Sequence, residues 1–146
     1  MILMEPTQVI DEMNDLLDMD RQAIIVYRTA LKSIEDEQVK LRLSQHLTDY
    51  KLHSVLLRKT IVNEGGTPHK KSSKSRSLSI QKVAFARTQS DQALLRALGE
   101  SEKICEKRYQ RSFVIGHAEP IQTVLQKGLD NSRRHMAWLG QITTDH

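Results

Sequence analysis

Apolar residues recur along this chain in steps of three and four, and four stretches carry the pattern far enough to predict amphipathic helices. The first bears Met13, Leu16, Leu17, Ile24, Tyr27, Leu31 and Ile34, and the second Val39, Leu43, Leu47, Leu56, Leu57 and Ile61. The third bears Leu95, Leu98, Cys105, Tyr109 and Phe113, and the fourth Ile121, Leu125, Trp138, Leu139 and Ile142. Polar punctuation supplies the boundaries. Asp36 and Ser90 are N-cap residues, Gly65-Gly66 and Gly116 are stops, and Pro6 and Pro120 stand where a first helical turn tolerates proline. The spacing predicts helices near 7–34, 37–64, 91–115 and 120–142, and leaves 78–88 open between a short helix and a loop.

Short links join the first helix to the second and the third to the fourth, so each pair is an antiparallel hairpin. The link between the pairs runs from Gly65 to Ser90. Short, long, short is the connection order of an all-α antiparallel four-helix bundle with one crossover. Composition agrees with a single domain over 1–146: 38% hydrophobic, 27% charged and 4% aromatic residues suit one helical core and argue against a β-sandwich. No apolar run approaches the ~18 residues needed to span a bilayer, and the N-terminal residues do not read as a secretory signal. One cysteine, Cys105, forms no internal disulfide and points to a reducing, cytoplasmic setting. The net charge of +4 is too small to imply a nucleic-acid partner by itself. Much of it gathers in a basic crossover loop, 65–77, which reads GGTPHKKSSKSRS and has no core position.

Laying the halves on each other at an offset of 82 residues needs no gap and predicts an internal duplication of about 13–62 in 95–144. Asp20 then falls on Glu102, Tyr27 on Tyr109 and His53 on His135. In an antiparallel hairpin, residues equidistant from the turn share a level. Asp20 and His53 have their midpoint at 36.5, in the first turn, and Glu102 and His135 at 118.5, in the second. All four lie in the apolar stripes, so one acid or imidazole from each helix points at the bundle axis. Tyr27 and His46 also share the midpoint 36.5 and are expected to touch.

On these residues the chain resembles the ferritin-like superfamily, which builds a two-metal site from a Glu on each of two helices and a Glu-x-x-His on each of the other two. The nearest resemblance is to an uncharacterised bacterial group of such bundles. It rests on Asn14-Asp15-Leu16-Leu17-Asp18 leading to Tyr27, Gly65-Gly66-Thr67-Pro68, and Gly99-Glu100-Ser101-Glu102 leading to Tyr109. The departures are at the chemistry. Glu-x-x-His here reads Tyr50-Lys51-Leu52-His53 and Ser132-Arg133-Arg134-His135, so both bridging carboxylates are missing. Two divalent ions side by side need bridging anions to offset their repulsion.

Three functions remain open. The preferred one is a degenerate, metal-free site, with Asp20, His53, Glu102 and His135 in a polar network with Tyr27 and Tyr109. The protein would then be a binding or stress-associated accessory with no catalytic residues, no cofactor and an unidentified protein partner or a homo-oligomer. The alternative is a metal-binding or redox protein, because two carboxylates and two imidazoles suit one iron, manganese or zinc ion. The second alternative is a basic bundle that associates with nucleic acid through residues 69–76. It is disfavoured because that loop has no aromatic side chain to stack on bases. Cys105 and Trp138 read as core residues. No Ser-His-Asp order, phosphate-binding loop or Cys-x-x-Cys supports another enzyme class.

Overall fold

The structure is a computed structural model that describes residues 5–70 and 77–143. It contains α1 (Pro6–Leu31), α2 (Glu37–Asn63), α3 (Leu78–Ala86), α4 (Asp91–Ile115) and α5 (Glu119–Ile142), with no strand among the described residues. The predicted caps set the boundaries. Asp36 Oδ1 accepts from the backbone N–H groups of Gln38 at 2.9 Å and Val39 at 3.1 Å, and Ser90 Oγ accepts from Ala93 N–H at 3.0 Å. At the end of α2, Gly65 takes φ +86°, which an L side chain rarely adopts. Its N–H reaches Val62 O at 3.0 Å and that of Gly66 reaches Ile61 O at 2.9 Å, a Schellman closure.

Two differences from the sequence pattern have local causes. α1 stops at Leu31, before Ile34, as its end tightens to i→i−3 bonds from Lys32 N–H to Thr29 O and from Ser33 N–H to Ala30 O. Ile34 is still buried, so the stripe marked a core position beyond the helix. The undecided stretch forms α3, capped by Ser77 Oγ accepting from Ile80 N–H at 3.2 Å.

α1 and α2 form one hairpin and α4 and α5 the other; α1 meets α4, α2 meets α5, and α3 lies across α1 and α4. The crossover is not wholly solvated. Asn14 Oδ1 accepts from His69 N–H at 2.8 Å and its Nδ2 donates to Thr67 O at 3.2 Å, while Arg21 donates to His69 O at 2.5 Å. One amide on α1, with a donor and an acceptor, thus docks the start of the loop. Lys71, Ser72, Ser73, Lys74, Ser75 and Arg76, part of the predicted basic loop, lie outside the described residues. The buried apolar side chains fall into two clusters, one around Leu43, Leu94 and Leu98 and one around Leu16, Leu57 and Leu125. Asp20, His53 and His135 lie between the two along their helices, and Glu102 lies within the first, between Leu98 and Cys105.

Candidate functional site

Each acid reaches the axis because it interrupts an apolar stripe: Asp20 stands between Leu17 and Ile24, and Glu102 between Leu98 and Cys105. Both are buried, with 0% and 1% exposure. A buried carboxylate is costly unless its oxygens are hydrogen-bonded, and here they are. Asp20 Oδ2 lies 2.7 Å from His53 Nδ1, and its Oδ1 accepts from the Tyr109 hydroxyl at 2.5 Å. Glu102 Oε2 lies 2.9 Å from His135 Nδ1 and also accepts from the Tyr27 hydroxyl. Its Oε1 accepts from the Tyr50 hydroxyl at 2.5 Å. The chain has three tyrosines, and all three donate to the two central carboxylates.

The two clusters differ in what surrounds them. His53 Nε2 donates to Val124 O at 2.8 Å, so that half ends on backbone. In the other half, His135 Nε2 lies 2.8 Å from Asp49 Oδ2, whose side chain is 28% exposed and also meets Arg134. His46 stacks on His135 with ring centroids 3.9 Å apart, and its Nδ1 is 3.2 Å from the Tyr27 hydroxyl. Trp138 meets His46 edge-on at 5.4 Å, and Arg42 covers Trp138 at 5.2 Å. At the offset of 82, the counterpart of His46 is Gly128 and that of Tyr50 is Ser132. A Cβ at Gly128 would stand 2.6 Å from Tyr109 Cε1 and 2.9 Å from His53 Cε1. His46 therefore packs on Tyr27 and His135, as Gly128 packs on Tyr109 and His53.

These surroundings move the titrations. Burial opposes the charged form of His53, but the Asp20 carboxylate outweighs it and holds the pKa above the ordinary histidine value. Both His53 ring nitrogens face acceptors, which only the imidazolium serves fully. His46 moves the other way, to about 2, through burial first and then the neighbouring His135, Arg42 and Arg134. Burial is also the main reason that Tyr27, Tyr50 and Tyr109 are pushed well above the usual phenol range. It likewise pushes the Cys105 thiol up, against its acting as a nucleophile.

The predicted ligand set thus lies as two acid–histidine pairs, each tied to a tyrosine of the opposite hairpin. Among the described residues, His46, Glu102 and His135 have ligand atoms all within 4.8 Å of one another, a group that takes in two of the four. Sequence reasoning placed His46 only as a partner of Tyr27, and it read Tyr50 only as a missing carboxylate. The stripe positions 46, 50 and 53 carried the signal for both. Asp49 gave none, because it lies off the stripe.

In known structures this arrangement of helices is a ferritin-like fold. The chain is similar to the dodecameric thioferritin of Bacteroides fragilis, a bacterioferritin-related protein, with TM-score 0.75, 18% identity and coverage of 94% of this chain and 85% of that one. It is also similar to a ferritin-like, diiron-carboxylate protein from Bacillus anthracis str. Ames, with TM-score 0.73, 18% identity and coverage of 95% and 97%. By sequence, the chain belongs to the family described as Domain of unknown function (DUF2383), whose model matches residues 8–113. No curated protein matches it.

The residues present do not fit a two-metal carboxylate centre. Tyr50, in the place of a bridging carboxylate, turns an O–H donor towards Glu102, and Ser132 stands 3.4 Å from the Tyr50 hydroxyl in the place of the other. Neither is an anion that offsets the repulsion of two cations. No described helix is long and apolar enough to cross a membrane.

Proposed function

We propose that this chain is a ferritin-like bundle whose central site is degenerate and works without a metal, and that it serves as a binding or stress-associated accessory rather than a two-metal oxidase. The observation that carries this is the saturation of the centre: both oxygens of Asp20 and both of Glu102 are engaged by histidine or tyrosine donors. Protons supply the compensation that cations supply in a metal site. The reciprocal contacts, Tyr109 to Asp20 and Tyr27 to Glu102, support reading 13–62 and 95–144 as repeats within one domain. The dodecameric assembly of the similar thioferritin supports a homo-oligomer, and the single buried Cys105 supports a reducing cytoplasm. The test is elemental analysis of protein purified without chelator. Less than about one-tenth of an equivalent of iron, manganese or zinc per chain is expected, and one or two equivalents overturn the reading.

A second reading is favoured by one observation. The approach of His46, Glu102 and His135 within 4.8 Å would suit a single divalent ion. It requires one equivalent of metal per chain, lost in His46→Ala and retained in His53→Ala.

A further inference from the structure

Positive charge is concentrated in the crossover. Between Glu64 and Asp91 the sequence holds six Lys or Arg residues and no Asp or Glu, while the other 16 Lys and Arg are set against all 18 acids. α3, within this stretch, has two faces. Val83 and Ala86 are buried and Ile80 packs against the core, which fixes the helix on the bundle. On the outward side Leu78 is 63% and Phe85 65% exposed. They are seven residues, or about 10 Å, apart on one face. Lys82 is exposed on that face between them, and Arg87 is exposed just beyond the last turn. Val114 and Ile115 are exposed at the end of α4, and Leu41, Leu52, Val62 and Ile104 are exposed too, but each of these four has an acid within four residues, namely Glu37, Asp49, Glu64 and Glu100. α3 has none.

We propose that the outward face of α3 docks on an anionic lipid surface. Leu78 and Phe85 would enter the boundary between headgroups and acyl chains, while Lys82 meets the headgroup phosphates and Arg87, turned to the other side at the helix end, adds only to the local positive charge. The Lys82 stem can lie along the apolar pair with its ammonium turned to the phosphates. The helix is already formed on its buried face, so docking needs no folding step. This combination distinguishes lipid from nucleic acid. Cations serve either partner, but Leu78 has no π-face to stack on a base, whereas a lipid interface rewards both apolar side chains. The resulting association is peripheral, reversible and weakened by salt.

The full chain should be sedimented with phosphatidylglycerol vesicles and with phosphatidylcholine vesicles, at low and high salt. It should sediment with the first at low salt and stay in solution with the second. Leu78→Ser with Phe85→Ser should weaken binding about tenfold, and Lys82→Glu with Arg87→Glu at least as much. These side chains face solvent, so helical circular dichroism should not change. If either double variant unfolds, Phe85→Cys carrying a polarity-sensitive dye gives the readout, since Cys105 is buried. Its emission should shift to the blue on phosphatidylglycerol vesicles, and that of a dye at Ile104→Cys should not. Equal binding to both vesicles, binding to neither, or no effect of the substitutions overturns the proposal. So does retention on double-stranded DNA that ignores Leu78→Ser with Phe85→Ser, which gives the charge to nucleic acid. Loss of a larger assembly in those variants without vesicle binding gives the face to a second copy and overturns it equally.

Discussion

Tyr50 shows how one residue changes the chemistry of a whole layer. Its hydroxyl gives Glu102 Oε1 a proton donor at 2.5 Å. Tyr50→Phe removes that donor from a buried carboxylate, and urea denaturation should show a loss of about 1–3 kcal/mol. The histidines give a pH test with opposite signs. His46 is held near 2 in the folded protein, so the unfolded chain binds its proton more readily. Stability from this group is whole above the ordinary histidine value of about 6.5 and falls as pH drops below it, by up to about 1.4 kcal/mol per pH unit. His53 is raised, so its contribution is whole below that value and lost as pH climbs through the folded-state pKa. Urea midpoints measured across pH should flatten on the acid side in His46→Gln and on the neutral-to-alkaline side in His53→Gln. At this scale the sequence was partly legible. Midpoint arithmetic pairs Asp20 with His53 and Glu102 with His135, and both pairs are in contact. Asp49 was hidden because its neighbour His135 lies 86 residues away and no periodicity marks the meeting.

Among the elements, α5 carries a glycine in its middle that serves a different helix. Helical glycine costs about 1 kcal/mol relative to alanine. Gly128 is retained where a Cβ would overlap the Tyr109 ring at 2.6 Å, whereas Gly99 in α4 and Gly140 in α5 have nothing within 4 Å. Gly99→Ala and Gly140→Ala should therefore stabilise the protein by about 0.5–1 kcal/mol each, read as a higher thermal midpoint. Gly128→Ala should lower it despite the better helix former, because ring and imidazole must both move away from Asp20. Helix positions were legible because caps and stripes agree at Asp36, Ser90, Gly65 and Pro120. The end of α1 was not, since burial of Ile34 continues the apolar rhythm past the last helical turn. The stretch around α3 was ambiguous because Leu78 and Phe85 put apolar side chains on its solvent side.

Across the whole molecule the central layer behaves as one unit. Asp20→Ala alone strands His53 and the Tyr109 hydroxyl, and breaking a buried pair in this way costs about 3–5 kcal/mol. Changing Asp20, His53, Glu102 and His135 together to Leu or Met, with the three tyrosines to Phe, removes both partners of every acid–histidine and acid–tyrosine bond, leaves only Val124 O, His46, Ser132 and the partly exposed Asp49 to find others, and should cost less. Denaturation of the two variants side by side orders them, and the reverse order would show that the network is more than mutual compensation. The crossing of the tyrosines has a further implication. Each hairpin holds an acid and its histidine but takes the phenol from the other hairpin. On the proposed reading of 13–62 and 95–144 as repeats, a lone hairpin of this design could complete its layer only against a second copy turned by a two-fold axis, as in a homodimer. The present chain should retain that dependence: fragments ending at Gly66 and beginning at Ser77 should be unfolded apart and reassemble into a helical heterodimer when mixed.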